Sequence, residues 1–170
     1  MEQNIYLVGG AVRDQLMGIP QKDKDYVAVG YSPNDYSHLK TIGKEFPIYI
    51  QEDGSELALA RTKRNEDEHA SLHVSIEEDL MRRDLTINSI AYDTKSLSYI
   101  DPYHGMHDIK NKCLRHTSLA FSEDPIRVLR IARLRAQFGQ EWKIHPSTKV
   151  LIYSMKETLG ALKPERVWKE

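Results

Sequence analysis

The sequence predicts an α+β fold with a mixed first part and an all-helical second part. Up to about residue 117, short apolar runs alternate with glycine turns and helical patterns, which is typical of strands and helices that share one core. After Thr117 every periodic segment is helical. With 170 residues and 40% hydrophobic content, the chain is long enough for one sizeable core, or for one domain and the start of another.

Glycine and capping residues mark the boundaries of the first elements. Gly9 and Gly10 end the first apolar run, Gly18 closes the helix that follows, and Ser32 is a suitable cap for a second helix. The elements predicted in order are a strand at 5–8, a helix at 11–17, a strand at 26–29, a helix from 32 to about 42, and strands at 47–50 and 56–60.

The next stretch changes from a loop to a helix and then to a hairpin. Residues 63–75 are polar, charged and aperiodic, which predicts an exposed mobile loop. The pattern is helical over residues 77–91. A hairpin-like pair of strands at 90–92 and 97–100 then precedes a turn at Asp101.

The second part of the chain contains three predicted helices. Ser122 caps a helix over residues 124–138 that Gly139 ends, and a second helix covers residues 147–156. A third begins at Pro164, a favoured first-turn residue. We therefore expect a boundary near residue 117 that divides a first domain, 1–117, from a helical domain, 118–170, whose last helix is cut short.

Composition excludes several classes of protein. The net charge of −1 leaves no global basic field, so that any contact with nucleic acid must be local. Cys113 is the one cysteine, which rules out an internal disulfide and a thiolate metal cluster. No apolar run is long enough to cross a bilayer, and the first residues lack the pattern of a signal peptide. We expect a cytoplasmic protein.

The glycine pair between the first strand and helix is a candidate phosphate-binding turn. Without side chains, Gly9 and Gly10 let the backbone approach a phosphate, and Arg13 on the following turn offers a fork of donors for a triphosphate. The alternative is a simple turn beside a surface arginine. The sequence has no GxxxxGK[ST] or GxGxxG, which argues against P-loop and dinucleotide-binding chemistry.

Two carboxylates at the entry to the second strand are candidate metal ligands. Asp23 and Asp25 are two residues apart, so that in a strand both side chains point to the same face. Paired carboxylates suit Mg²⁺, which takes oxygen ligands and bridges to substrate phosphates. Glu56 on a neighbouring strand is the candidate third carboxylate. By itself, a run of alternating lysine and aspartate is usually a solvated turn.

Two arginine-rich segments are further candidates. Arg82, Arg83 and Asp84 are followed by Asn88 in a segment predicted to be helical, and the alternative is an exposed charged helix start. In the helix at 124–138, arginines recur every three residues, which puts them on roughly one side. These are Arg127, Arg130 and Arg133. Val128, Ala132, Ala136 and Ile131 are the predicted buried side. Such a stripe usually faces water, yet Asp124 with Arg127 could present an acceptor and donors to a base edge.

Five segments taken in order resemble the class II tRNA nucleotidyltransferases and bacterial poly(A) polymerases of the polymerase-β-like superfamily. They are YLVGGAVRDQLMG, DKDYVAVG, RRDLTINSIAYD, DPYHG and EDPIRVLRIARLRAQFG. The likeness to bacterial CCA-adding enzymes runs from Ile5 to the last residue. It implies a nucleotidyltransferase head domain, with an antiparallel-type sheet and helices, followed by a helical neck. Family members continue into body and tail domains, so we expect a head-and-neck fragment or a short relative.

The resemblance also implies roles for individual residues. Gly10 and Arg13 would contact the triphosphate or nucleotide, and Asp23 and Asp25 would hold magnesium. Residues 101–105 would be a springy connection between head and neck. The remaining roles are ribose recognition by Arg83 and Asp84, base selection by Asp124 and Arg127, and support of the nucleotide by Arg130 and Arg133. Ser89 replaces an alanine that is common in relatives, a small change that we expect to be tolerated.

The function that follows is template-independent addition of CMP and AMP, from CTP and ATP, to a tRNA 3′ end by a two-metal mechanism with Mg²⁺. Poly(A) polymerase is the alternative within the same chemistry, and an inactive nucleotide- or RNA-binding module is the alternative from another class. A metallohydrolase is a third possibility. Its ligand sets would be His69 with His73, His104 with His107, and His107 with Asp108. The first pair falls in the predicted loop, and the last is expected to be a surface turn.

Overall fold

The computed structural model describes residues 2–21, 23–43, 47–62 and 72–170, and in this part of the chain it contains one seven-stranded sheet and a small second sheet. The strands of the large sheet are β1 Asn4–Val8, β2 Asp25–Val29, β3 Lys40–Ile42, β4 Ile48–Ile50, β5 Glu56–Leu59, β6 Ala91–Asp93 and β7 Ser98–Ile100. The second sheet pairs β8 Cys113–Leu114 with β9 Lys143–Ile144. The α-helices are α1 Gly10–Leu16, α2 Ile76–Met81, α3 Gly105–Lys110, α4 Ile126–Phe138, α5 Pro146–Ser154, α6 Lys156–Leu159 and α7 Pro164–Lys169.

The large sheet is mixed, with the strand order β3-β4-β5-β2-β1-β6-β7. All neighbouring strands are antiparallel except β2 and β5, which are parallel. The expected antiparallel-type sheet is therefore confirmed apart from this one pair. The parallel pair matters for the site, because its register sets Asp25 opposite Glu56 at the start of both strands.

The apolar core falls into clusters on and beyond the sheet. One cluster packs Val8, Val27 and Leu80 between the sheet and α2. Another joins Leu85 and Leu114 to residues of the helical part, whose fully buried members include Phe121, Ile131 and Leu134. The predicted boundary at residue 117 therefore crosses a continuous core, and the division into 1–117 and 118–170 stays a prediction.

The helix predicted from residue 32 to about 42 is wrong. Ser32 does act as a cap, but the turn it starts is a short 3₁₀ helix, Pro33–Tyr36, closed by hydrogen bonds between Ser32 and Asp35. Residues 40–42 form β3, which pairs with β4. The main-chain hydrogen bonds to the sheet outweigh the weak local helical pattern, as tertiary context often does.

The helix predicted over residues 77–91 ends early. Helix α2 stops at Met81, a 3₁₀ turn covers Thr86–Asn88, and residue 91 already belongs to β6. Leu85 is extended and forms a bridge with His116, which ends any helical path. The segment with Arg82, Arg83 and Asp84 is consequently an irregular turn rather than a helix face.

The second part of the chain agrees more closely with the prediction. Helices α4, α5 and α7 lie close to where they are predicted, and Gly139 ends α4. Its buried side is Ile126, Ile131 and Leu134, whereas Ala132 and Ala136 are exposed, so that part of the predicted buried face is wrong. The small sheet, α3 and α6 are absent from the prediction, because each is short.

No helix in the described ranges is long and apolar enough to span a membrane. The loop predicted at 63–75 falls mainly on residues 63–71, which lie outside the described residues. His69 belongs to that segment, so its predicted pairing with His73 is outside them as well.

Candidate active site

The glycine turn after β1 lies beside two charged side chains, those of Arg83 and Asp25. Gly9 has φ of +69°, a left-handed conformation that side chains disfavour. A Cβ atom built on Gly9 would lie 3.3 Å from Nη1 of Arg83 and 3.7 Å from Oδ2 of Asp25. A side chain here would enter the space between these two groups, so glycine keeps that space open.

The predicted acidic residues line one open cleft at the end of the parallel pair. Asp23, Asp25 and Glu56 all border a cavity of about 560 Å³. Burial raises the pKa of the Asp25 carboxyl, Arg83 opposes that rise, and the neighbouring charge of Asp23 adds to it. Two carboxylates that repel each other in a half-buried cleft are stabilised when a divalent cation binds between them.

The donor set fits Mg²⁺ as a substrate-bridging ion rather than as a permanently caged one. Within the described residues, no three histidine, cysteine, aspartate or glutamate side chains are close enough together to hold a metal on their own. Magnesium commonly uses one or two carboxylates and completes its shell with water and substrate phosphates. Asp23 and Asp25 suit that arrangement. The role of Glu56 as the third carboxylate of the site stays a prediction.

Arg83 reaches the glycine turn from the segment after α2. Its Nε and Nη2 atoms donate to Oδ2 of Asp79 at 3.2 and 3.0 Å. Together with the contact to Gly9, this arrangement puts the guanidinium between a buried carboxylate on one side and Asp25 on the other. Arg83 is close enough to Asp25 to lower the pKa of that carboxyl against the effect of burial.

Asp84 is the centre of a buried polar network. Its Oδ1 accepts from the Leu85 amide at 2.7 Å and from Asn88 at 2.9 Å, and its Oδ2 accepts from Nη1 of Arg130 at 3.1 Å. Burial alone would raise the pKa of the Asp84 carboxyl, but Arg130 and these hydrogen bonds outweigh it and hold the pKa below its usual value. Asp84 is accordingly ionised and rigidly held.

Arg13 is buried, which makes the surface-arginine alternative wrong. It is 8% exposed, donates to Asp14 at 2.7 and 2.9 Å, and donates from Nη1 to Asn88 at 2.7 Å. Its guanidinium also lies 5.3 Å from the centre of the Phe138 ring. Arg13 thus braces the turn through Asn88, the same residue that supports Asp84, and its direct contact with phosphate stays a prediction.

The two residues predicted to select the base are both engaged by protein partners. Arg127 donates to the carbonyl oxygens of Ala120 and Arg82 at 2.8 and 2.9 Å. Asp124 accepts from Arg166 at 2.7 Å. These contacts tie α4 to the Arg82 turn and to α7, and they set both side chains at the junction of the mixed and helical parts.

Two further arginines of α4, Arg130 and Arg133, meet at Glu170. Arg130 lies 3.3 Å from this carboxylate and Arg133 lies 2.9 Å from it. Burial alone would lower the pKa of Arg130, but Asp84 and Glu170 outweigh it and raise the pKa. Arg130 therefore joins the buried network, whereas Arg133 is held at its outer end.

Three adjoining cavities join these groups into one groove. Asp25 borders both the acidic cleft and a second cavity of about 180 Å³, and Arg83 and Arg127 border both that cavity and a third of about 190 Å³. The second cavity is lined by Gly9, Gly10, Asp25, Arg83, Asp84, Asn88, Arg127 and Arg130. The structure brings most of the predicted residues together here. Of the predicted site residues, Arg13, Asp124 and Arg133 line none of these three cavities.

Asp79 and Glu170 are functional candidates that the sequence analysis missed. Asp79 is 5% exposed and Glu170 bridges two arginines. A spacing of four residues between Asp79 and Arg83 is the signal that could have identified the first, because residues i and i+4 face each other at a helix end. Glu170 gave no local signal, since its partners are distant in sequence.

The histidine sets proposed for a metallohydrolase do not assemble among the described residues. His107 is exposed and approaches Asp108 at 3.6 Å, but Asp108 is committed to Thr86 and Arg115 at 2.7 and 2.9 Å. The predicted surface turn at His107 is wrong: these residues lie in α3, and Asp108 is 1% exposed. Asp108 is a structural carboxylate that joins α3 to the segment behind Asp84.

Curated relatives resemble the whole of this chain. A CCA-adding enzyme of Coxiella burnetii is 51% identical over 178 residues, covering 98% of this chain and 47% of that protein. A CCA-adding enzyme of Blochmanniella pennsylvanica is 47% identical, covering 97% of this chain and 43% of that protein. The chain thus spans about half the length of the curated relatives it matches.

Solved structures agree with the sequence relatives. The crystal structure of Bacillus stearothermophilus CCA-adding enzyme in complex with CTP matches with a TM-score of 0.80 and 30% identity, covering 97% of this chain and 42% of that one. The Thermotoga maritima CCA-adding enzyme complexed with tRNA matches with a TM-score of 0.75 and 27% identity, covering 97% and 41%. A family model described as the poly A polymerase head domain matches residues 5–115. With this head domain and the polymerase-β-like fold of its solved neighbours, the chain belongs to the poly(A) polymerase head domain family, which includes CCA-adding enzymes.

Proposed function

We propose that this chain carries the nucleotidyltransferase site for adding CMP and AMP, from CTP and ATP, to the 3′ end of tRNA. The observation that carries the proposal is the groove in which the glycine turn, the paired acids and two arginines of α4, Arg127 and Arg130, meet. An open turn, two carboxylates and several guanidinium groups suit a nucleoside triphosphate with its divalent cation. The Coxiella and Blochmanniella relatives, named as CCA-adding enzymes, support the choice of reaction.

In the proposed reaction the RNA 3′ hydroxyl attacks the α-phosphate of CTP or ATP. The hydroxyl gives up its proton to solvent, a new phosphodiester bond forms, the bond from the α-phosphorus to the bridging oxygen breaks, and pyrophosphate leaves. Mg²⁺ held by Asp23 and Asp25 would activate the hydroxyl and neutralise the leaving pyrophosphate. Gly9 and Gly10 leave room for the triphosphate, and Arg83 balances negative charge next to Asp25. Glu56, opposite Asp25 on β5, is the proposed third carboxylate.

Nucleotide selection is proposed for the side chains at the other end of the groove. Asp84 is ionised and buried beside Arg83, a suitable pair for a ribose with its 2′ hydroxyl. Asp124 and Arg127 offer an acceptor and donors for a base edge. Binding of a base then requires them to exchange their contacts with Arg166 and with the carbonyl oxygens of Ala120 and Arg82. Gly10, Arg13, Arg130 and Arg133 support the bound nucleotide in this proposal.

The decisive experiment supplies each nucleotide separately. The chain is incubated with Mg²⁺, tRNA that lacks its CCA end, and one labelled nucleoside triphosphate at a time, and labelled ATP is tested again with unlabelled CTP added. We expect CMP incorporation from CTP alone and AMP incorporation only when CTP is also present, with no incorporation from UTP or GTP. Absence of any labelled product at high enzyme concentration, with nucleotide binding intact, would contradict the proposal.

Poly(A) addition is the second candidate, and the description of the matching family model favours it. It predicts repeated AMP incorporation on RNA without prior CTP. The first experiment separates the two activities, because only CCA addition uses CTP. An inactive binding module predicts a third result, in which Asp23→Ala changes nothing that can be measured. We propose a cytoplasmic location, since the sequence holds one cysteine and tRNA is the proposed substrate.

A further inference from the structure

Helix α2 carries a buried carboxylate to which the proposed mechanism gives no role. Asp79 lies in the first turn of α2 and is 5% exposed. The start of the helix is fixed by a capping box, in which Ser75 accepts from the Glu78 amide at 3.2 Å and Glu78 accepts from the Ser75 amide at 2.8 Å. Asp79 therefore has a well-defined position relative to the sheet.

Both oxygens of Asp79 are committed to different partners. Oδ1 accepts from the backbone amide of Arg61, just beyond β5, at 3.2 Å. Oδ2 accepts from Nε and Nη2 of Arg83 at 3.2 and 3.0 Å. One oxygen of the carboxylate thus contacts the chain just after β5, and the other holds one side of the Arg83 guanidinium.

With Nε and Nη2 of Arg83 bonded to Asp79, the remaining nitrogen, Nη1, lies at the groove. The position that a Cβ on Gly9 would take is 3.3 Å from Nη1 and 3.7 Å from Oδ2 of Asp25. An arginine released from Asp79 would have Asp25 within reach, because both side chains lie this close to one position beside Gly9. A paired fork on Asp25 would occupy the carboxylate proposed to hold the metal.

We propose that Asp79 is a positioning residue, which holds Arg83 so that Nη1 faces the bound nucleotide and the guanidinium stays off Asp25. The inference rests on the proposed function, since it assumes that a nucleoside triphosphate occupies the groove. Asp79 acts only through Arg83 and touches no substrate. Its role is to keep the Arg83 guanidinium at the groove, available to the nucleotide, instead of paired with Asp25.

The variant that tests this is Asp79→Asn. Asparagine keeps an oxygen for the Arg61 amide, so the change removes mainly the charged contact with Arg83. We expect the dissociation constants of ATP and CTP, measured by equilibrium dialysis with Mg²⁺, to rise about tenfold, as for loss of one charge-assisted hydrogen bond. In the incorporation assay KM should rise by a similar factor, and kcat should change less than about twofold. The control is Glu77→Gln, which removes an exposed carboxylate from the same turn.

A double-mutant cycle decides between positioning and general support of the fold. In an Arg83→Gln background, Asp79→Asn should have no further effect on nucleotide affinity, because its partner is gone. An equal loss in both backgrounds, or an unchanged affinity in Asp79→Asn, overturns the inference. If Asp79→Asn lowers the melting temperature too far to assay, Arg83→Lys decides. One ammonium cannot both fork onto Asp79 and reach the groove, so the inference predicts the same tenfold loss, and wild-type affinity overturns it.

The binding cycle also separates this inference from the proposed function. If the wild-type chain binds ATP and CTP but incorporates neither, the proposed reaction is wrong. The nucleotide affinities of the variants then still test whether Asp79 positions Arg83. If the wild type incorporates nucleotides normally and Asp79→Asn binds them with unchanged affinity, only the inference about Asp79 is wrong. A wild-type chain that binds neither nucleotide overturns both.

Discussion

At the scale of single residues, the site depends on carboxylates that are held in different environments. Asp25 is half-buried in an open cleft, where burial raises its pKa. Asp84 is fully enclosed, yet Arg130 and three hydrogen bonds hold its pKa below the usual value. The proposed metal ligand is thus the carboxylate whose charged form burial disfavours, whereas Arg130 and hydrogen bonds stabilise the charged form of Asp84.

Asp25→Asn is expected to abolish incorporation while the chain stays folded. The amide of asparagine has no negative charge to bind a divalent cation. Loss of several kcal/mol of transition-state stabilisation by the metal ion corresponds to a rate lower by about a thousandfold. Burial disfavours the charged form of this side chain, so the neutral substitution should not lower the melting temperature. The measurement is CMP incorporation beside a thermal unfolding curve.

Glu52→Gln is the matched control, because Glu52 is an exposed carboxylate in the turn between β4 and β5. It should keep wild-type activity. If Asp25→Asn retained more than a tenth of the wild-type rate at saturating Mg²⁺, the assignment of Asp25 as a metal ligand would be wrong.

Asp84→Asn is expected to lower the free energy of unfolding at pH 7 by about 2 kcal/mol, since it removes a charge from hydrogen bonds to a charged group. The folded-state pKa of Asp84 lies below 3.8, so the stabilisation by its ionised form is complete above that pH and is lost as the pH falls through the folded-state pKa. Urea unfolding across a pH series measures it. The difference in the free energy of unfolding between wild type and variant should be constant from pH 5 to 8 and should become smaller in stronger acid. A difference that grows in stronger acid would contradict the lowered pKa of Asp84.

At the scale of elements, α3 is the support behind the site. Asp101 starts this helix by accepting from the amides of Gly105 and Met106 at 2.6 and 2.9 Å. Asp108 then links the helix to Thr86, next to the Asp84 segment. The segment 101–105 is therefore a well-bonded helix start in this structure, and its predicted spring-like motion stays a prediction.

Gly105→Ala is expected to destabilise the fold by about 3 kcal/mol, because a Cβ at this position would collide with the carbonyl oxygen of Thr86 and with the side chain of Ile90. Thermal unfolding measures the effect. Gly160→Ala is the control, since its Cβ would meet nothing nearer than 3.6 Å. Equal melting temperatures for the two variants would mean that α3 does not pack against the Thr86 turn as described.

At the scale of the whole molecule, the mixed and helical parts share one core. Leu85 and Leu114 from the first part pack in the same cluster as Phe121, Ile131 and Leu134 from the second. The small sheet of β8 and β9 also joins the two parts. The groove lies at this junction, since Arg127 and Arg130 come from α4 and Asp25 comes from β2.

A chain cut after residue 117 is expected to lose cooperative folding, because Leu85, Ile87 and Leu114 would face water. The measurement is urea unfolding together with binding of a dye that detects exposed apolar surface. A chain cut after residue 163 is the control, because residues 164–170 contribute no member to this cluster among the described residues. A sharp, dye-free transition for the shorter fragment would instead support 1–117 as an independent domain.

The sequence by itself determined those features that depend on near neighbours. The turn at Gly9 and Gly10 and the strands around it follow from local conformational preference. The helix at 124–138 follows from its own period. Each of these is present in the structure at or near the predicted residues.

Only the tertiary structure decided which of these groups meet. The register of β2 on β5 sets Asp25 opposite Glu56, the early end of α2 turns Arg83 toward Gly9, and packing at the shared core brings Arg130 to Asp84. It also buries Arg13, for which the sequence left a surface position open as the alternative to phosphate binding. The physical reason is that these contacts join residues far apart in the chain, where the competing local preferences are weak and the buried hydrogen bonds and apolar contacts of the folded molecule prevail.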